Sequence, residues 1–411
     1  MDGENESKNE VAIMKNRIYE LILKIQLIIG ILLMLCLNLN VVHTFKMPKL
    51  VYPTILCALV VIFVLTLFEN KNRYIQAAAK WLGVLALPYA SNFLVYTGIS
   101  VLNVAFPSCA IFFSIIGCIL LLVVNIPWVM VDLPIVKNGF LRVLSIALID
   151  MSFTFNANDF INLPESLHFL VYDAVIVAIE IFVLGFFITK AWGLKFSWNL
   201  KFVKTSNFQL GSWIVLILVM IWLIFFNTYL NLVNNWAELL AFWNWNSFEI
   251  SYHFTADIVS FAARAGIYEE MFRGLEIIVL LYAMRNFKDR IMVAVVISAI
   301  LFSLGHLSNL GTITNGTFYS ADMMAQQLIY AFGLGLAFGV LYLYTGKLWL
   351  GMLIHFLYDL ETLSTDVTAG LFTGWPASIM LLIIGVAIFV WMLTGKRRKF
   401  MEDNVDRIVG G

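Results

Sequence analysis

Apolar windows of about 20 residues recur along nearly the whole chain, and they constrain its fold more than any other feature. Each window is long enough for one helix to cross a bilayer. These windows lie near residues 19–42, 51–68, 81–101, 109–132, 167–189, 210–232, 256–284, 291–308, 322–345 and 376–395. Two shorter segments, near 139–156 and 348–362, are expected either to span the membrane or to be re-entrant.

The composition agrees with this pattern. Of the 411 residues, 61% are hydrophobic and 13% are charged, whereas soluble domains carry about 25% charged residues. The formal net charge is zero, so the chain has no overall basic excess that would favour binding to nucleic acid. The sequence therefore predicts an all-α fold, a polytopic transmembrane helical bundle with about 10–12 spans.

The chain is predicted to have three parts. Residues 1–205 form N-terminal transmembrane helices, residues 206–395 form a core that contains the buried ionisable groups, and residues 396–411 form a basic cytoplasmic tail. Lysine and arginine cluster in alternate loops and in the "KRRK" run after the last span. By the positive-inside rule, both termini are expected in the cytoplasm with an even number of crossings, about twelve.

Ionisable side chains inside a span cost several kcal/mol, so they mark function or pairing. The second half of the chain places them in three groups, which are Glu269, Glu270 and Arg273, then His306, and then His355 and Asp359. Side chains four residues apart share a face of a helix. Glu269 is therefore expected to lie over Arg273, and His355 over Asp359.

Several chemistries fit these residue types. A metal site built from His306, His355 and a carboxylate lacks the spacing of a known metal motif, so neither a metal nor another cofactor is predicted. A serine nucleophile is weakly supported by Ser303. A glutamate general base fits best, because a carboxyl group in a low-dielectric pocket is suited to take a proton from water. A buried ion pair that only fixes helix packing stays an alternative.

The segments "YEEMFRG" at 268–274, "FSLGH" at 302–306 and "HFLYD" at 355–359 follow one another in the order of a known family. In this order and spacing, residues 255–362 resemble the CPBP (Abi) family of CAAX prenyl endopeptidases and bacteriocin-processing or immunity membrane proteins. The resemblance implies an intramembrane glutamate peptidase that needs no metal. Its expected partners are the bilayer and a membrane-embedded or lipidated peptide or protein, and its expected location is the bacterial cell membrane.

The resemblance also implies roles for single residues. Glu269 or Glu270 would activate water together with His306, and His355 with Asp359 would form the oxyanion side. From its charge and position, Arg273 would neutralise and orient the surplus carboxylate.

The first motif departs from the family pattern, which has three residues between the glutamate pair and the arginine. Here only Met271 and Phe272 intervene. If the sequence is aligned on "FRG", Tyr268 takes the place of the first glutamate. If it is aligned on the pair, one residue is missing. On a helix, the position of Tyr268 points about 140° away from Arg273, whereas that of Glu269 points almost along it.

Two other functions stay open. A catalytically inactive relative would use the same polar cavity to bind a membrane partner, as a scaffold or an immunity protein. A transporter would use Asp173 and Glu180, which are seven residues apart and share a helix face. Pairing of these two acids with another helix is the simpler expectation.

Overall fold

The structure is a computed structural model that describes residues 2–39, 50–68, 72–153, 175–194, 204–241, 251–309, 320–366 and 374–409. The chain divides into two compact units, residues 1–194 and residues 195–411. Asp173 lies outside the described residues.

The first unit is entirely helical in the part of the chain that the structure describes. Its helices are α1 (Asp2–Asn38), α2 (Val51–Phe68), α3 (Arg73–Ala105), α4 (Ala110–Val124), α5 (Ile126–Val131), α6 (Gly139–Ser152) and α7 (Val175–Ala191). Two interruptions have local causes. Pro88 lies inside α3, and Pro127 stands two residues after Asn125, where α4 ends and α5 begins. Proline lacks the N–H that a helix interior needs.

The second unit contains α8 (Leu210–Leu232), α9 (Trp236–Leu240), α10 (Ala256–Ala283), α11 (Arg290–Gly305), α12 (Ala321–Thr345), α13 (Leu348–Ser364), α14 (Trp375–Met392) and α15 (Gly395–Val409). Two short strands, β1 (Ser251–Tyr252) and β2 (Thr365–Asp366), pair antiparallel just before α10 and just after α13. The starts of α10 and α12 are capped by Thr255 and Ser320, whose hydroxyl oxygens accept backbone N–H groups.

Seven segments of the described residues are long and apolar enough to cross a membrane. They are Arg17–Asn38, Val51–Phe68, Arg73–Ala105, Pro107–Ile135, Leu210–Leu230, Ala321–Thr345 and Trp375–Met392. The expected all-α polytopic bundle is therefore confirmed. Helix α10, which was also expected to span, is long enough but carries three carboxylates and an arginine between residues 269 and 276.

Helices α10 and α13 run antiparallel and approach closely at two glycines of α10. A methyl group added to Gly266 would lie 2.7 Å from the carbonyl oxygen of Met352, and one added to Gly274 would lie 2.8 Å from the Leu348 side chain. Because the backbones approach so closely between these points, side chains at the middle of α10 face the middle of α13 across a short gap. The candidate site lies there.

Small residues also bring α11, α12 and α14 together. Gly335 and Gly339 of α12, a GxxxG pair, lie against Ala299 and Val295 of α11. On α14, a methyl group at Gly385 would collide with the carbonyl group of Gly333 on α12. This packing fixes α11 and α12 beside α10, so that aromatic side chains of both helices reach the candidate site.

Residues that follow the last span form helix α15, which packs on the end of α12. The Asn404 amide donates hydrogen bonds of 3.0 Å and 2.7 Å to the carbonyl oxygens of Leu343 and Tyr344. Arg398 also donates to Asp289, which precedes α11, at 2.9 Å. The basic run at residues 396–399 is thus part of a packed helix.

Candidate active site

The buried end of the site is a carboxylate held by two cationic or polar partners. Glu270 on α10 forms an ion pair with Arg273 one turn later, and both side chains are 1% exposed. The same Glu270 oxygen, Oε1, lies 2.8 Å from Nδ1 of His355 on α13. This hydrogen bond engages the Nδ1 edge of the imidazole ring, so the other ring nitrogen, Nε2, points away from Glu270.

The open end of the site lies at that other nitrogen. Nε2 of His355 is 3.4 Å from Glu269 Oε2 and 3.8 Å from Asp359 Oδ2. The side chains of Glu269 and Asp359 are 28% and 22% exposed, whereas His355 is 8% exposed. Two partly accessible carboxylates, those of Glu269 and Asp359, therefore lie near Nε2 of a buried imidazole. The contact of Nδ1 with Glu270 holds that imidazole in position.

Arg273 lies between aromatic rings. Its guanidinium carbon is 4.0 Å from the centre of the Phe302 ring on α11 and 5.2 Å from that of Phe338 on α12. Within the described chain, Nε and Nη2 of Arg273 are buried and form no hydrogen bond. The ring faces supply the electrostatic contact for this side of the cation.

His306 lies at the edge of this cluster. It follows α11 directly, and its Nδ1 donates to the carbonyl oxygen of Phe302 at 3.0 Å. The Phe302 ring lies edge-on against both imidazoles, with centroid distances of 5.0 Å to His306 and 6.1 Å to His355. Phe302 therefore lies between the two histidines. The histidine that Glu269 and Glu270 contact is His355.

The pairing of the arginine differs from the sequence expectation. Glu269 was expected to lie over Arg273, but Glu270 forms that ion pair. Residues three apart on a helix are neighbours as well as residues four apart. The partner helix decides between them, because α13 has a glycine, Gly351, opposite Glu270. A methyl group there would lie 3.2 Å from Glu270 Oε2.

Two neighbouring side chains of the first motif lie outside this cluster. The ring of Tyr268, which replaces a glutamate in one of the two alignments, packs edge-on against Phe272 with centroids 5.0 Å apart. Glu276 accepts a hydrogen bond of 2.9 Å from Ser298 on α11. Glu276 therefore ties α10 to α11.

Sequence reasoning missed three residues that shape the site, namely Phe302, Phe338 and Gly351. All three lie inside motif segments or the stretch that precedes the last motif. Gly351 stands one helical turn before His355, so its missing side chain is a signal that something large faces it from α10. The aromatic residues carried no such signal, because phenylalanine is common in any membrane helix.

The donor set contains imidazole and carboxylate groups. Among the described residues, no group of three or more His, Cys, Asp or Glu side chains is arranged to hold a metal ion. The absence of a metal stays a prediction from the sequence.

The family model that describes type II CAAX prenyl endopeptidases, Rce1-like, matches residues 251–360. This segment is therefore similar to the Rce1-like family. The match confirms the family inferred from the ordered motifs and nearly coincides with the predicted range of 255–362. It runs from β1 to α13 and includes every residue of the cluster described above. Comparison with curated proteins gave no match, and neither did comparison with solved structures.

The Rce1-like segment thus accounts for α10–α13 of the second unit. The chain is an integral membrane protein, and its residues 251–360 are similar to type II CAAX prenyl endopeptidases. Residues before 251, including all of the first unit, lie outside the match.

Proposed function

We propose that the chain is an intramembrane endopeptidase in which Glu269 is the general base. The observation that carries this proposal is the position of Glu269 Oε2, 3.4 Å from His355 Nε2 at the open end of the cluster. Glu270, fully buried between Arg273 and His355, is enclosed by protein groups. Of the two adjacent glutamates, Glu269 is the one that a water molecule and a peptide can reach.

In the proposed reaction, Glu269 removes a proton from a water molecule as the water oxygen attacks the scissile carbonyl carbon. The carbonyl oxygen gains the negative charge of the tetrahedral intermediate. An Nε2–H group of His355 and a protonated Asp359 donate hydrogen bonds to that oxygen. When the carbon–nitrogen bond breaks, Glu269 passes its proton to the departing amine.

Glu270 and Arg273 act as positioning residues in this scheme. Glu270 accepts the Nδ1–H of His355 and thereby orients the ring, as carboxylates do behind many catalytic histidines. Arg273 compensates the buried charge of Glu270. The cluster then contains enough positive charge to keep several carboxylates together in a low-dielectric site.

His306 is proposed to hold the attacking water. Its Nδ1–H is used by the Phe302 carbonyl, which leaves Nε2 as an acceptor for a water proton. The substrate is proposed to be a membrane-embedded or lipidated peptide, since the family match is to CAAX prenyl endopeptidases. A topology with both termini in the cytoplasm belongs to the same proposal and follows from the loop charges.

The test uses the purified full chain in lipid nanodiscs and an internally quenched peptide that ends in a farnesylated CAAX sequence. Glu269→Gln is expected to lower kcat/KM by about 10²–10⁴-fold, because the amide keeps the volume of the carboxylate but cannot act as a base. The matched control is Glu238→Gln, a glutamate in α9 that lies outside the cluster. Its activity should equal that of the wild type.

The alternative function, a catalytically inactive scaffold that binds a membrane partner, predicts a different result. Wild-type protein would then cleave neither the farnesylated peptide nor its unprenylated form, and no glutamate variant would change that. Cleavage by wild type with full activity in Glu269→Gln would contradict the assignment of the base while leaving peptidase activity intact.

A further inference from the structure

A charged cavity lies where the turn between α10 and α11 meets helix α15, outside the peptidase cluster. Its volume is about 310 Å³, within the range of about 300–1,000 Å³ that small-molecule sites occupy. The turn and the first residue of α11 supply three basic side chains to its lining, and α15 supplies three acidic ones, namely Arg285, Lys288 and Arg290 with Glu402, Asp403 and Asp406. The cavity thus takes its positive charge from one element and its negative charge from another.

On the acidic side, protein donors occupy two of the three carboxylates. Arg398 donates to Glu402 at 3.1 Å, and Asp403 Oδ2 accepts hydrogen bonds of 2.6 Å and 3.0 Å from side chains of the segment before α8. The third carboxylate, that of Asp406, is 73% exposed and lies 3.5 Å from Arg290. Because contacts between exposed charges are weak, Asp406 is the carboxylate best able to bind an incoming cation.

On the basic side, two of the three cations lack an acidic partner. No carboxylate of the described residues lies within ion-pair distance of Arg285 or Lys288. The guanidinium carbon of Arg285 lies 5.1 Å from the centre of the Tyr282 ring, and the Lys288 side chain is exposed. An arginine and a lysine that are free in this way suit a phosphate group, which the guanidinium binds with two hydrogen bonds and the ammonium as a point charge.

The cavity lies at a predicted membrane boundary. The sequence predicts one span that ends near residue 284 and another that begins near residue 291, so the turn between them lies at the membrane surface. Tyr282 and Phe287 are 38% and 52% exposed on either side of Arg285. Large aromatic side chains suit the level at which lipid headgroups meet hydrocarbon. A lipid whose headgroup enters the cavity would leave its acyl chains beside these two rings.

We propose that this cavity binds the headgroup of phosphatidylethanolamine. The phosphate contacts Arg285 and Lys288, and the primary ammonium group donates hydrogen bonds to Asp406. The headgroup has one negative and one positive end, as the cavity has one basic and one acidic side. A lipid bound in this way joins the α10–α11 turn to α15, and its binding does not depend on the proposed peptidase chemistry.

The lining favours this headgroup over two others. Phosphatidylcholine carries a quaternary ammonium, which has no N–H to donate and is typically recognised by aromatic cages, and no residue that lines the described cavity is aromatic. Phosphatidylglycerol offers the phosphate without a cation, so the carboxylates of α15 would repel it.

The experiment is native mass spectrometry of the full chain in detergent with equimolar dioleoyl phosphatidylethanolamine, phosphatidylcholine and phosphatidylglycerol. Wild-type protein is expected to retain phosphatidylethanolamine above the other two lipids. Arg285→Gln and Lys288→Gln should each weaken that binding by about fivefold. The matched control is Arg73→Gln, because Arg73 is an exposed arginine of the first unit that also lies over a tyrosine ring. Its lipid binding should equal that of the wild type.

Asp406→Asn separates recognition of the amine from simple attraction of phosphate. This variant keeps the basic side chains and loses the acceptor charge, so the ratio of bound phosphatidylethanolamine to phosphatidylglycerol should fall towards one. An unchanged ratio would contradict the role of Asp406.

Equal retention of the three lipids by wild-type protein would overturn the proposal, as would a preference for phosphatidylglycerol. Undiminished binding in both Arg285→Gln and Lys288→Gln would overturn it as well. If a variant aggregates in gel filtration, thermal unfolding of the wild type decides. Phosphatidylethanolamine should then raise the Tm above its value in the same amount of phosphatidylcholine. Equal Tm values in the two lipids would refute the site.

Discussion

Gly351 leaves the space that Glu270 occupies. A methyl group at Gly351 would lie 3.2 Å from Glu270 Oε2, tighter than an ordinary van der Waals contact. Glu270 cannot move aside freely, because Arg273 and His355 both hold its other oxygen. The glycine on α13 and the glutamate on α10 are therefore matched in shape across the helix pair.

Replacing Gly351 with alanine tests this match. The added methyl should push Glu270 away from His355 Nδ1 and disturb the orientation of the ring, so kcat should fall by about tenfold or more. The cost in stability should be about 1–3 kcal/mol, as for other overpacked positions. The peptide-cleavage assay and thermal unfolding in nanodiscs measure both effects. Wild-type kcat in a folded Gly351→Ala protein would contradict the argument.

Removing the buried cation should destabilise the second unit. Arg273→Met leaves Glu270 buried without its ion-pair partner, and such a loss typically costs about 3–5 kcal/mol. Arg273→Lys should fall between methionine and wild type, since lysine keeps the charge but not the planar stacking on Phe302 and Phe338. The midpoint of unfolding in denaturant is the measurement.

The matched control for this prediction is Arg290→Met. Arg290 is 22% exposed and lies 3.5 Å from an Asp406 that is 73% exposed. Exposed pairs of this kind contribute about 1 kcal/mol or less. If Arg273→Met and Arg290→Met lower the free energy of unfolding equally, then burial does not increase the contribution of the Glu270–Arg273 pair to stability.

The apolar windows and the ordered motifs were sufficient to predict the helical membrane class and the residues of the Rce1-like segment. They could not predict which glutamate faces Arg273. Glu269 and Glu270 are adjacent on α10, and helix periodicity allows either one to approach Arg273. The choice depends on α13, where Gly351 provides room, and this is a property of two helices packed together.

A buried polar network of the first unit, in which Asn125 donates to Asn92 and Glu180, illustrates the same limit. Glu180 could be identified from the sequence as a buried acid, and pairing with another helix was expected. Its partner Asn125 stands at a helix interruption, and Asn92 lies on a third segment. Neither amide differs in sequence from an ordinary polar residue in a long apolar run. Only the tertiary arrangement brings the three side chains together.

The role proposed for His306 predicts a loss of rate without a loss of stability. His306→Ala removes the side chain that is proposed to hold the attacking water. His306 lies at the partly exposed end of α11, so kcat should fall by about 10²-fold or more while the Tm changes little. His253→Ala, a histidine just before α10, is the control and should retain activity. If His306→Ala cleaves the peptide at the wild-type rate, the attacking water is held by other groups.

The close approach of α10 and α13 at Gly266 predicts a stability effect that does not depend on the proposed chemistry. A methyl group at Gly266 would lie 2.7 Å from the Met352 carbonyl oxygen and 2.8 Å from the Phe356 backbone nitrogen. Backbone atoms cannot rotate away, so Gly266→Ala should separate the helices and cost about 1–3 kcal/mol.

Gly211→Ala is the matched control for this effect, because a methyl group at Gly211 on α8 would meet nothing within 4 Å. That substitution should change stability by less than about 1 kcal/mol, in the stabilising direction, since alanine restricts the unfolded chain and favours helix. Thermal unfolding of both variants in the same nanodiscs compares the two glycines directly. If Gly266→Ala unfolds at the temperature of Gly211→Ala, then α10 and α13 do not pack as closely as described, and the contacts between Glu270 and His355 lose their structural basis.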